Sequence, residues 1–185
     1  MNIVKTFDEY MFEGRISDEL VSDSAPYMKH VIQLLTAMQG FSSKVQSDLA
    51  TLKLGCIKPI KCVPAKEVLN KDSIRIIKSR VRPKEKCCYE DAFHTASYIT
   101  ETDVKYCEGY LIVYGLPIEH AFNKVGDCYI DVTREFGGHD DVTQNEYVIL
   151  KEWNADVALR IMAHGNVQCY GGVFDKEYYI EHNLI

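Results

Sequence analysis

A cysteine, a histidine and a carboxylate are the smallest side-chain set that performs nucleophilic acyl transfer, and this chain of 185 residues offers one at promising positions. Cys88 opens a segment whose spacing predicts a helix from about Cys88 to Thr100. At about 100° per residue, Cys88, Ala92, Ala96 and Ile99 fall on one side, with Tyr89 at its edge and Cys87 pointing nearly the opposite way. Two alanines on the buried side let such a helix lie close against a sheet. A first-turn thiol also meets unpaired N–H groups and the positive end of the helix dipole, which favour a thiolate. Taken alone, Cys88 reads equally well as a small core residue.

The histidine and the carboxylate come from a predicted hairpin. If Gly126-Asp127 closes a two-residue turn, Val125 pairs with Cys128, Lys124 with Tyr129, Asn123 with Ile130 and Phe122 with Asp131. Alternate residues share a face, so His120 lies on the same face as Asp131, one diagonal step away. A slip of one residue would separate them. A carboxylate that holds the tautomer and orientation of an imidazole makes it an effective general base. Each residue alone reads as an ordinary strand side chain. Together with a helix-start cysteine they predict Cys88 as nucleophile, His120 as base and Asp131 as the orienting acid.

The segments Cys88-Tyr89-Glu90-Asp91-Ala92, Glu108-Gly109-Tyr110, Pro117-Ile118-Glu119-His120-Ala121-Phe122-Asn123 and Tyr129-Ile130-Asp131-Val132-Thr133 resemble the core of the transglutaminase-like branch of the papain-like cysteine protease superfamily. In that core a cysteine begins a helix packed on an antiparallel sheet, and the histidine and aspartate lie on successive strands. The resemblance implies the same three roles for Cys88, His120 and Asp131, which follow one another at intervals of 32 and 11 residues. It covers Cys88 to Thr133. Val132 stands where that family often has proline, and Lys84, Glu85 and Lys86 hold no glutamine of the kind that donates to an oxyanion in papain-like proteases. Gln144, Gln168, Trp153, a tyrosine or the Cys88 N–H are the alternative donors.

The elements that must position these residues predict an α+β chain, with N-terminal helices and a catalytic helix packed on an antiparallel sheet. One domain spans 1–185, as a helical part over 1–70 and a helix-plus-sheet core over 71–185. Helices are expected from Ser24-Pro26 to Gly40, from about Ser43 to Gly55, and from Asn154 to Met162, with Asp175 capping a short last helix. The β-branched run Ser73–Val81 predicts a strand, as do Tyr110–Tyr114, Glu119–Val125, Cys128–Thr133 and Tyr147–Leu150. Gly115-Leu116-Pro117 reads as a turn and Phe136–Asp141 as a loop. Tyr170-Gly171-Gly172 reads as a tight turn that allows close backbone approach.

Composition limits the other readings. Apolar residues make up 46% and charged residues 26%, as in folded globular chains. No stretch approaches the roughly 18 apolar residues of a membrane helix, and Met1–Tyr10 carries Asp8 and Glu9 with no apolar core of a signal peptide, so a cytoplasmic protein is expected. The seven cysteines are odd in number and lack C-x-x-C spacing, which argues against a disulfide framework and against structural zinc. His139-Asp140-Asp141 could form half of a metal site, but its composition fits a solvated loop better, and His164 suits a helix C-terminus. The acyl-transfer scheme requires no cofactor.

The formal charge of −6 conceals a basic stretch. Lys71, Arg75, Lys78, Arg80, Arg82, Lys84 and Lys86 stand against Asp72 and Glu85, a local +5 that leaves −11 elsewhere. Three functions compete. The first is an amide-hydrolysing thiol enzyme acting on a protein, a peptide or a small amide, with peptidase, amidase, deamidase and transglutaminase activities all compatible. The second is a non-catalytic binding or inhibitor protein on the same fold, using the 71–86 stretch or the cleft. The third, a nucleic-acid module, is disfavoured by the overall acidity and by the lack of aromatics among those charges.

Overall fold

The computed structural model describes residues 28–41, 43–100, 102–164 and 172–184. Among the described residues two helices come first, α1 (Met28–Phe41) and α2 (Lys44–Cys56). In α1, Met28, Val31, Ile32 and Leu35 recur at helical spacing and are buried. Ser43 caps α2, its side chain accepting from the Gln46 N–H. The Cys169, Gln168 and Tyr170-Gly171 positions, and the Ser24-Pro26 helix start, lie outside the described residues.

Five antiparallel strands follow in the spatial order β1-β5-β2-β3-β4. They are β1 (Lys58–Ile60), β2 (Val104–Val113), β3 (Leu116–Val125), β4 (Cys128–Ile130) and β5 (Glu146–Trp153). The sheet curls. Its first edge, β1, pairs with β5, while the chain just beyond β1 reaches the opposite edge, where Cys62 bridges Tyr129 and the Val63 N–H donates to the Tyr129 carbonyl at 2.8 Å. A bulge interrupts the β2–β5 pairing at Glu108/Gly109, and a Cβ on Gly109 would drive into the Val148 carbonyl. No helix among the described residues is long and apolar enough to cross a membrane.

The two faces of the sheet carry different cores. One holds Val104, Tyr106, Tyr110, Ala121 and Val125 against the helices, and the other holds Cys62, Cys107, Leu111, Phe122, Tyr147 and Ile149. The helix α4 (Cys88–Tyr98) packs on β2 and β3, with Ala92 and Ala96 buried. The small side chains bring the helix backbone so close that Asn123 of β3 donates to the Ala92 carbonyl at 2.8 Å. Two helices, α5 (Ala155–Ala163) and α6 (Val173–Glu181), complete the chain. His164 caps the C-terminus of α5.

Several elements depart from the sequence expectation. Residues 73–81 are not a strand: α3 (Lys71–Ile76) runs into a wider helical turn, Ile77–Val81. Asn70 caps α3 by accepting from the Ser73 N–H at 2.8 Å, and the buried Ile77 and Val81 are four residues apart, so helical spacing overrides β-branched composition. β4 stops at Ile130 rather than Thr133, because Val132 is already helical and Thr133–Gly137 forms a wide turn. The β2–β3 turn sits at Tyr114-Gly115, both with positive φ, so the strands run longer than expected. β1 carries no alternating signal in three residues and went unforeseen. Asp175 does not cap α6; Gly172 holds that position.

Candidate active site

The site forms where β4 gives out. The hairpin closes at Gly126 (φ +58), and its pairs are Val125 with Cys128, Lys124 with Tyr129 and Asn123 with Ile130. Asp131 is the next residue, leaving the strand with its side chain still on the face of Phe122 and His120. There His120 Nε2 lies 2.7 Å from Asp131 Oδ2, and Asp131 is fully buried.

Three donors converge on this carboxylate. Besides His120, the Tyr147 hydroxyl of β5 donates to Oδ2 at 3.0 Å and the Arg134 N–H donates to Oδ1 at 3.0 Å. Tyr147 also packs against the imidazole, with ring centres 6.3 Å apart. Sequence reasoning missed Tyr147. The signal was present in the alternation of β5, which puts Tyr147 and Ile149 on the face shared by Leu111 and Gly109, and Gly109 pairs with His120.

Cys88 approaches from the helix side of the sheet. The Cys88 thiol lies close enough to the His120 ring to add to the rise of its pKa, while Nε2 of that ring is engaged by the carboxylate. The thiol and the imidazole start on opposite faces. Between them, β4 pairs only with residues 123–125, which leaves the β3 edge from Leu116 to Phe122 without a β4 partner. Burial opposes the charged imidazole, but the Asp131 charge and hydrogen bond, with Cys88 adding to them, prevail and raise the His120 pKa to about 10. Asp131 therefore both orients His120 and makes it strongly basic.

A second carboxylate fastens the helix that carries Cys88 to the segment that follows Asp131. Buried Asp91, one turn after Cys88, accepts at Oδ2 from the Lys84 N–H at 3.0 Å and from the Thr133 hydroxyl at 2.9 Å. Burial raises its pKa, and those two bonds oppose the rise. The turn from Thr133 to Gly137 packs closely on the Lys84 backbone, 3.0 Å from where a Gly137 Cβ would stand.

On the other flank, Lys53 of α2 is 3% exposed and pairs with Glu119 at 2.9 Å and Asp175 at 2.8 Å. Glu119 precedes His120, so this ion cluster ties β3 to α2 and α6. Beside it lies a narrow cavity bounded by Tyr89, Glu108, Gly172 and these three residues. Glu108 caps α6, accepting from the Val173 N–H at 2.6 Å, the Phe174 N–H at 3.0 Å and the Tyr106 hydroxyl at 2.5 Å. Burial pushes its pKa up to about 6 against those three donors. A Cβ on Gly172 would strike the Glu108 carboxylate, the close approach expected of that glycine.

The alternative oxyanion donors are disposed unequally. Gln144 is exposed and bonds Thr143, and the Trp153 indole N–H points to Glu177 at 3.3 Å. Tyr147 is committed to Asp131. The Cys88 N–H sits in a first turn with no side-chain cap, outside the helical ladder, and is the donor nearest the sulfur. His139-Asp140-Asp141 lies apart from these residues, with Asp141 bonding the Thr143 N–H at 3.1 Å and its hydroxyl at 2.6 Å, and no metal-binding cluster of three or more ligands occurs among the described residues. A surface hollow lined by Ala96, Ile99, Asn154 and Leu159 lies at the end of α4 away from Cys88.

A helix-start thiol, an imidazole and a buried carboxylate bonded to that imidazole thus lie in one region of the structure. Protein-family models, curated proteins and solved structures give no match to this chain.

Proposed function

We propose that the chain is a cysteine-dependent acyl-transfer enzyme that hydrolyses an amide, peptide or isopeptide-like, through Cys88, His120 and Asp131. The observation that carries this reading is the buried 2.7 Å contact of His120 Nε2 with Asp131, with Cys88 near enough to the same ring to influence its pKa. On this reading the core would belong with the papain-like and transglutaminase-like thiol enzymes, with Asp131 just past the end of its strand rather than on it.

The proposed steps use these three residues. The Cys88 proton passes to His120, and sulfur attacks the substrate carbonyl carbon to form a C–S bond while the carbonyl π electrons move to oxygen. The Cys88 N–H donates to that oxyanion. Collapse breaks the C–N bond as the imidazolium protonates the leaving amine, which leaves a thioester on Cys88. Water, deprotonated by His120, then attacks the thioester; the acid is released and the thiol is restored. Asp131 stays ionised throughout and holds the ring.

The test is intact-mass labelling with a limiting neutral electrophile. Fast single-site labelling that vanishes in Cys88→Ala and slows in His120→Ala is the expected result. Slow, scattered labelling indifferent to both substitutions would overturn the reading in favour of a binding protein, for which the exposed 71–86 stretch is the surface to probe.

A further inference from the structure

The basic stretch is not a strand face but the outer side of a helical arm leading to the nucleophile. Ile77 and Val81 anchor it in the core, and all seven basic side chains, from Lys71 to Lys86, are exposed. The arm runs along the flank of the site. Lys78 lies over the Phe136 ring at 5.4 Å, and the Lys84 N–H bonds Asp91 of the catalytic helix. Phe136 belongs to the turn that follows Asp131. Arg82 and Lys86 are held with positive φ (55° and 68°) where the arm turns into Cys87-Cys88. Of its own acids, Asp72 is paired with Arg75 at 3.0 Å. A net +5 thus borders the thiol, in a chain that carries −11 elsewhere.

We propose that this arm recruits an acidic polypeptide segment and delivers its amide to Cys88, which makes acidic proteins or peptides the substrate class. The inference rests on the thiol-enzyme reading. A polypeptide is favoured over a nucleic acid for two reasons. Acyl transfer needs an electrophilic carbonyl, which a polypeptide supplies and a nucleic-acid backbone does not. The arm also has no aromatic side chain on which bases could stack. Concentrated like charge next to a reactive group raises the encounter rate with an oppositely charged substrate, and salt screens the effect.

The experiment compares Cys88 labelling by two chloromethyl-ketone peptides that differ only in glutamate or lysine flanks, with iodoacetamide as a neutral control. The glutamate peptide is expected to react about tenfold faster at low salt. High salt, or the triple variant Lys78→Gln, Arg80→Gln, Lys86→Gln, should remove that preference and leave the iodoacetamide rate unchanged. Equal rates for the two peptides, with rapid iodoacetamide labelling, would overturn the inference and spare the thiol-enzyme reading. If iodoacetamide shows no preference for Cys88, that reading fails, and fluorescence anisotropy of a labelled glutamate peptide decides the arm. Binding lost in the triple variant supports it; no binding, or tighter binding of oligothymidylate at equal salt, overturns it.

Discussion

Asp91 accepts the Thr133 hydroxyl at 2.9 Å across 42 residues of sequence, so the helix that carries Cys88 is bonded directly to the segment that carries Asp131. Removing one donor should be mild and removing the acceptor severe. Thr133→Val should cost about 1 kcal/mol, whereas Asp91→Ala, which strands the Lys84 N–H and the Thr133 hydroxyl, should cost about 2–3 kcal/mol in urea unfolding. Asp91→Ala should also slow Cys88 labelling at denaturant concentrations where the fold is intact. An unchanged labelling rate would show that the clamp does not position the thiol.

Asp131→Asn keeps the shape of the site but removes the charge behind His120. Turnover, or labelling at Cys88, should fall by about 10²- to 10⁴-fold. The pH dependence of stability follows from the His120 pKa, raised from 6.5 to about 10. A raised histidine stabilises the fold fully below 6.5, and that stability is lost as pH rises through 10. The stability deficit of Asp131→Asn should therefore be largest below pH 6.5 and shrink toward pH 10. A deficit that grows with pH would contradict the assignment.

Glu108 predicts a dependence of the same sign in a lower pH window. Its folded pKa is raised from 4.5 to about 6, so the native state holds the proton more tightly than the unfolded chain. Stability from this group is present below pH 4.5 and is lost as pH rises through 6. Glu108→Gln should flatten that slope, and Glu108→Ala should lose about 2–3 kcal/mol by leaving Tyr106, Val173 and Phe174 donors unpaired. Chemical denaturation at several pH values reads both effects.

Lys53→Met should strand Glu119 and Asp175 around an apolar side chain. Asp175 is half-buried, which raises its pKa, and Lys53 opposes that rise. Without Lys53 the pKa climbs further, so the variant should be about 3–5 kcal/mol less stable at neutral pH and recover as pH falls. Recovery with rising pH would be inconsistent with this cluster.

Local signals carried much of this architecture. Capping at Ser43, the alanine face of α4 and the Gly126-Asp127 turn each depend on neighbouring residues, so the helices and the 120–131 register could be read directly. Residues 73–81 misled because Ile74, Ile76 and Ile77 suit a strand by type while Ile77 and Val81 suit a helix by spacing. Tyr147 and Asp91 were harder to find. Their roles depend on partners in distant elements, Asp131 and Thr133, and on a curl of the sheet that no short window encodes.

That curl also bears on the order in which the surroundings of Cys88 close. The Cys62–Tyr129 bridge and the pairing of Lys58–Ile60 with Tyr147–Ile149 join parts of the chain that emerge far apart in time during synthesis. Such distant closures form slowly compared with helices. A growing chain that has released Cys88 and His120 but not β5 lacks the Tyr147 hydroxyl on Asp131, so reactivity should arrive with the final strand. In refolding from urea, Cys88 labelling should lag behind the recovery of helical signal. The order of strand closure would then act as a timer that keeps the nucleophile quiet until the fold around it is complete.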